Sequence, residues 1–163
     1  MTTHNGEPVR FAAAIVIAIA LTAAVSAAQA PREPRFLLEA WAGTNGPDGE
    51  SWHLVVDETG NAAVSYWSGP GAAASERQFR LSEAARDAIV AAAREARFLD
   101  LPTSIGPEII PVHGPEIVAH LTLNRRTRKV FLNEPKDAAG PDVERFRRVW
   151  QAVVAASPIK PPL

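Results

Sequence analysis

The stretch SWHLVVDETGNAAVSYW, Ser51 to Trp67, constrains this chain more than any other. Two apolar runs flank Asp57-Glu58-Thr59-Gly60-Asn61. A type I turn closed by a glycine in the left-handed region is a common three-residue hairpin loop, and Gly60 sits where that glycine belongs. Pairing Asp57 with Asn61 sets Val56 against Ala62, Leu54 against Val64 and Trp52 against Tyr66. Side chains alternate with period two, so those six share one core-like face. The other face carries His53, Val55, Asp57, Asn61, Ala63, Ser65 and Trp67, polar except for Val55, Ala63 and Trp67. A slip of one residue would exchange the two faces.

Elements on either side follow from similar reasoning. RFLLEAWAG reads as a first strand, and RQFRL, with Phe79 and Leu81 inward, as a short fourth one. Ser82 is a good helix N-cap and Glu83 complements the helix dipole, so a helix is expected to run to about Arg97. Its apolar face is thin: Ala85, Ile89, Ala92 or Ala93, and Ala96. Residues 102–115 hold four prolines and two glycines and read as a loop. EIVAHLTLN is a strand with Ile117, Ala119, Leu121 and Leu123 on one face. NRRTR is a turn and KVFLN returns. A last helix starts near Pro141, with Val143, Phe146, Val149 or Trp150, and Val153 at helical spacing. The order β-β-β-β-α-β-β-α implies an α+β fold, an antiparallel sheet with two helices packed on one face in a two-layer sandwich. We place a single α+β domain at residues 36–156 and a proline-rich tail at 157–163.

The N-terminal segment reads as an export signal. Arg10 precedes the apolar run FAAAIVIAIALTAAV, which is shorter than the ~20 residues that span a bilayer comfortably. Small residues follow in SAAQA, so residues 1–28 are expected to form a signal peptide and 29–35 an extended leader. The alternative is an uncleaved anchor helix. Cleavage would leave a periplasmic or extracellular protein with no membrane span. The chain has no cysteine, which removes disulfides, thiolate metal sites and cysteine nucleophiles. Its formal charge of −1 argues against a nucleic-acid partner.

HGPEIVAH, His113 to His120, is the segment with the most chemistry in it. Gly114-Pro115 forbids a helix between the histidines. Glu116 and His120 share a strand face but lie roughly 13 Å apart at 3.3 Å per residue, too far to chelate one ion. A metal would need His53 from the hairpin, and local sequence gives no reason for those strands to meet. No metal and no cofactor is expected. No Gly-x-Ser-x-Gly elbow, phosphate loop or dinucleotide fingerprint occurs, so no catalytic residue is assigned. Glu39, Asp57, Glu108 and Glu116 could flank a cleft as glycosidase carboxylates do, which leaves a small hydrolase as an alternative. Arg125, Arg126, Arg128 and Lys129 at a hairpin tip, and Arg145, Arg147 and Arg148 on the last helix, read as solvated charge rather than an anion site.

Helices on one side leave the other sheet face open. Trp67 lies on that face, and Trp41 joins it if Leu37, Glu39 and Trp41 point the same way. Trp67, Trp41, His53 and Glu39 are thus the candidate binding face, with an envelope protein or glycan as partner. Finally, FRLSEAARDAIVAAAREARFLDLP, a strand hairpin and VERFRRVWQAV form a layout that resembles small secreted bacterial domains of unknown function. The helix ending in such a stretch is similar to that of emfourin-type inhibitors of bacterial metalloproteases. That resemblance spans Phe36 to about Ala155 and implies a secreted protease inhibitor as a further alternative, with the proline-rich loop 102–115 as its insert. It transfers no residue, and the long TSIGPEIIPVHGPE loop and the missing glycine-rich start depart from the layout.

Overall fold

The structure, a computed structural model, describes residues 35–44, 49–107 and 114–162. The expected signal, the leader as far as Pro34, Glu108 and His113 lie outside the described residues. The strands are β1 (Phe36–Thr44), β2 (Ser51–Val56), β3 (Asn61–Trp67), β4 (Ser75–Arg80), β5 (Ser104–Ile105), β6 (Pro115–Leu123) and β7 (Arg126–Asn133). The helices are α1 (Glu83–Glu95) and α2 (Pro141–Ala156), with a 3-10 turn at Phe98–Asp100. The seven strands among the described residues form one sheet in the order β4-β3-β2-β1-β6-β7-β5. The fold is α+β, as the order of elements implied.

Each expected pair of the central hairpin is formed: Trp52 opposite Tyr66, Leu54 opposite Val64, Val56 opposite Ala62. Asp57 makes the turn rigid. It accepts from the Thr59 and Asn61 backbone N–H groups (2.8 and 2.9 Å), from the Thr59 hydroxyl and from the Asn61 amide. Gly60 takes φ +85°, a region that any Cβ would disfavour. The second hairpin turns more tightly than NRRTR suggested. Asn124 and Arg125 at φ +48° and +71° make the turn alone, as a two-residue type I′ loop requires, so β7 already begins at Arg126.

The purely antiparallel sheet is corrected at one edge. β5 runs parallel to β7, with Ser104 opposite Phe131 and Ile105 opposite Leu132. After the 3-10 turn the chain is extended, and Thr103 O accepts from the Phe131 N–H at 2.8 Å. Two residues are too few for alternation to be legible, and the surrounding prolines read as loop. α1 also stops slightly earlier than expected, because Arg97 adopts φ +46° and breaks the helix. Ser82 caps its start, accepting from the Ala85 N–H at 3.1 Å.

The core lies between one sheet face and the two helices. Leu38, Ala40, Leu54, Val64, Ala119, Leu121, Val130 and Leu132 come from the strands, Ile89 and Ala93 from α1, and Phe146, Val149 and Val153 from α2. Trp52 is fully buried and meets Trp150 edge-on at 5.6 Å between ring centroids. Its indole N–H donates to Ile159 O at 2.7 Å, which ties the proline-rich tail onto the domain. A buried indole donor needs such a partner, since leaving it unpaired would cost about 1–3 kcal/mol. The arginines of α2 serve the packing too. Arg145 donates to Ala96 O and Arg97 O (2.7 and 2.8 Å), closing the C-terminus of α1, and Arg147 donates to Pro135 O and Ala138 O.

Candidate functional site

The face of the sheet turned away from the helices carries the polar half of every strand. Cross-strand pairing arranges its side chains in rows. One row runs Ser65, His53, Trp41, Val118, Phe131; the next runs Ala63, Val55, Glu39, His120, Lys129. A third runs Trp67, Ser51, Gly43, Glu116, Asn133. Three consecutive strands, β2, β1 and β6, therefore bring His53, Glu39 and His120 side by side. Glu39 and His120 are 81 residues apart in the chain.

Glu39 sits between the two imidazoles. His53 Nε2 is 3.1 Å from Glu39 Oε1, and His120 Nδ1 is 3.5 Å from Oε2. An ionised carboxylate only accepts, so each imidazole presents an N–H to it and keeps its second nitrogen for another partner. The His53 hydrogen bond, joined by that of His120, holds the Glu39 carboxyl below the ordinary glutamate range, although partial desolvation pulls the other way. All three side chains stay accessible, at 51% for Glu39, 41% for His53 and 37% for His120. The histidines take separate oxygens of one carboxylate instead of converging on a common point. Among the described residues no group of three or more His, Asp or Glu is arranged to hold a metal ion.

Next to this bridge the face is apolar and hollow. Gly43 has no side chain, and the Trp41 indole takes the space: Cζ2 of Trp41 is 3.0 Å from where a Cβ on Gly43 would stand. The ring thus lies along its own strand, over the glycine. Val118, directly opposite Trp41, is 92% covered although it points away from the core. Phe131 follows in the same row, with the Lys129 ammonium 5.0 Å from its ring centroid. Glu39, Trp41, Ser51, His53, Glu116, Val118, His120, Lys129 and Phe131 together line a concavity of about 540 Å³.

No family model matches this chain. A search of curated proteins finds no similar sequence either.

Of the four residues proposed for the binding face, Glu39, Trp41 and His53 line the concavity. Trp67 is on the same face but three strands from Glu116 in its row, half-buried and outside the lining. His120, set on a strand face with Glu116 in the sequence, finds its partner across the strands in Glu39. Of the four carboxylates weighed as a cleft pair, Glu39 and Glu116 line the concavity, whereas Asp57 is engaged in the hairpin turn. Ser51, Val118 and Phe131 were not singled out from sequence, and Lys129 was read only as solvated charge at a hairpin tip. Their signal was period-two alternation alone, which names a face and not the neighbours across it. Most of the arginine cluster is internally paired: Arg126 with Asp100, Arg145 with Asp142, Arg147 with Glu144, Arg148 with Glu95.

Proposed function

We propose that this chain is a ligand-binding module of the cell envelope, and that the concavity on the open sheet face takes a glycan. The observation that carries the reading is the Trp41 indole seated over Gly43, lining the concavity with Val118, Glu39, His53, His120, Glu116 and Ser51. A sugar ring has an apolar C–H face and an equatorial rim of hydroxyls. An aromatic floor suits the first, and a border of acceptors and donors suits the second. The mixed imidazole and carboxylate border can both give and accept hydrogen bonds, which hydroxyls require. The export signal expected at residues 1–28 would deliver the module to where such glycans are.

The test is an array of bacterial envelope oligosaccharides, followed by calorimetry on any that bind. Saturable binding is expected, weakened at least about tenfold, or ~1.4 kcal/mol, by Trp41→Ala in a protein that remains folded. Binding that Trp41→Ala leaves unchanged would move the site elsewhere. Capture of a protein and of no glycan would replace the ligand class while keeping the face.

A second reading rests on the same carboxylate–histidine pairs. Glu39 orients the imidazole of His120, and an imidazole so held can act as a general base toward water. Hydrolysis of a bound glycan, abolished by His120→Gln while binding persists, would establish it. Turnover that survives His120→Gln would dismiss it.

A further inference from the structure

We propose that two copies of this chain pair edge to edge through β4, antiparallel about a twofold axis at Gln78. β4 ends the sheet, and among the described residues nothing pairs with its outer side. Its inner pairing determines which backbone groups remain. Leu81 N–H donates to Gly60 O at 2.8 Å, and the register continues as Ala62 opposite Phe79 and Val64 opposite Arg77. In an antiparallel ladder alternate residues exchange hydrogen bonds with the same neighbour. Arg77 and Phe79 therefore bond to β3, while the N–H and C=O of Glu76, Gln78 and Arg80 point outward. Three donors and three acceptors in a row form a template for another strand.

The side chains select the partner and the register. A twofold axis perpendicular to the sheet keeps the open faces of both copies on one side, so residues that face each other must share a face. Glu76, Gln78 and Arg80 stand on the open face, opposite Ser65, Ala63 and Asn61. Placing the axis at Gln78 sets Glu76 of each copy against Arg80 of the other, twice. Arg77 then meets Phe79 across the helix side, where a guanidinium can rest on the ring. Centring on Glu76 or on Arg80 would oppose like charges, which is destabilising directly across a pair. Glu76, Arg77, Gln78 and Arg80 are all exposed, and no ion pair engages Glu76, Arg77 or Arg80 among the described residues. The complementarity is thus available to a second copy. Such a dimer would also carry both open-face concavities on the same side, but it stands independently of what those bind.

Sedimentation equilibrium on the protein purified after expression of the full chain tests this. A five-residue pairing is smaller than a standard interface, so dissociation is expected in the micromolar range or weaker, with dimer present by ~0.5 mM. Glu76→Arg places two like-charged pairs across the axis and should weaken the dimer at least about tenfold. Combining Glu76→Arg with Arg80→Glu exchanges the charges and should restore it. Gln78→Pro removes an outward N–H without touching the bonds to β3, and should abolish pairing in a folded monomer. A wild-type monomer at ~0.5 mM, in the range where weak interfaces of this size associate, overturns the proposal. So does a dimer insensitive to both Glu76→Arg and Gln78→Pro, or one that the charge exchange fails to restore.

Discussion

The two faces of the sheet are built from alternate residues of the same strands, yet they answer to different rules. On the helix side Leu38, Leu54, Val64 and Leu121 are interchangeable in kind: each needs only to be apolar and of about the right size. On the open side Glu39, His53 and His120 matter individually, because each meets a specific neighbour at a specific distance. Burial is a property of a residue and its period. A site is a property of which strands are adjacent, and in what register.

Substitutions can separate the two. The largest loss of stability is expected on the covered face. Trp52→Ala should cost about 3–5 kcal/mol, since it deletes a fully buried ring, the edge-on contact with Trp150 and the hydrogen bond that holds the tail. Denaturant unfolding measures it, and a cost under about 1 kcal/mol would mean that the covered face is no more exacting than the open one.

Gly43→Ala probes the point where the open face intrudes on backbone packing. Its Cβ would stand 2.4 Å from Glu50 O and 3.0 Å from the Trp41 ring. The carbonyl is backbone and cannot swing aside, so a loss of about 1–3 kcal/mol is expected. Weakened binding should accompany it, because the indole loses its seat.

Trp41→Ala should be milder in stability, about 1 kcal/mol or less, since the ring is half-buried on the open side. Its effect on ligand affinity should be the larger of the two. A protein unfolded by Trp41→Ala would place that ring with the core instead.

The smallest effect is electrostatic. Glu39 titrates below the ordinary glutamate range chiefly because His53 hydrogen-bonds it. A carboxyl with a lowered folded pKa contributes stability that is present above its unfolded pKa and lost as pH falls through the folded one. Wild type and Glu39→Gln should therefore converge in stability as the solution is acidified through that range. Carboxyl chemical shifts should show Glu39 moving back up toward its usual value in His53→Ala. A Glu39 titration unchanged by His53→Ala would mean that the bridge is not formed in solution.

Much of the covered face was legible beforehand because its causes are local. DETGN specifies a turn, and the turn specifies the register of β2 and β3. Ser82 announces α1, and Pro141 announces α2. β5 escaped notice because two residues carry no period. The parallel pairing that holds it is supplied by β7, more than 20 residues further on. The half-burial of Trp67 likewise depends on what surrounds it on the folded face, which alternation does not specify.

By itself, then, the sequence determined every strand but β5, the two helices, their caps and which side of β2, β3 and β6 turns inward. Each of these depends on residues within a few positions of one another, through turn geometry, capping and the period of side-chain direction. Only the tertiary structure decided that β1 lies between β2 and β6, and so that Glu39 reaches two histidines at once. Strand neighbours distant in the chain are chosen by the packing of the whole sheet against its helices, and no local pattern around Glu39 or His120 encodes that choice.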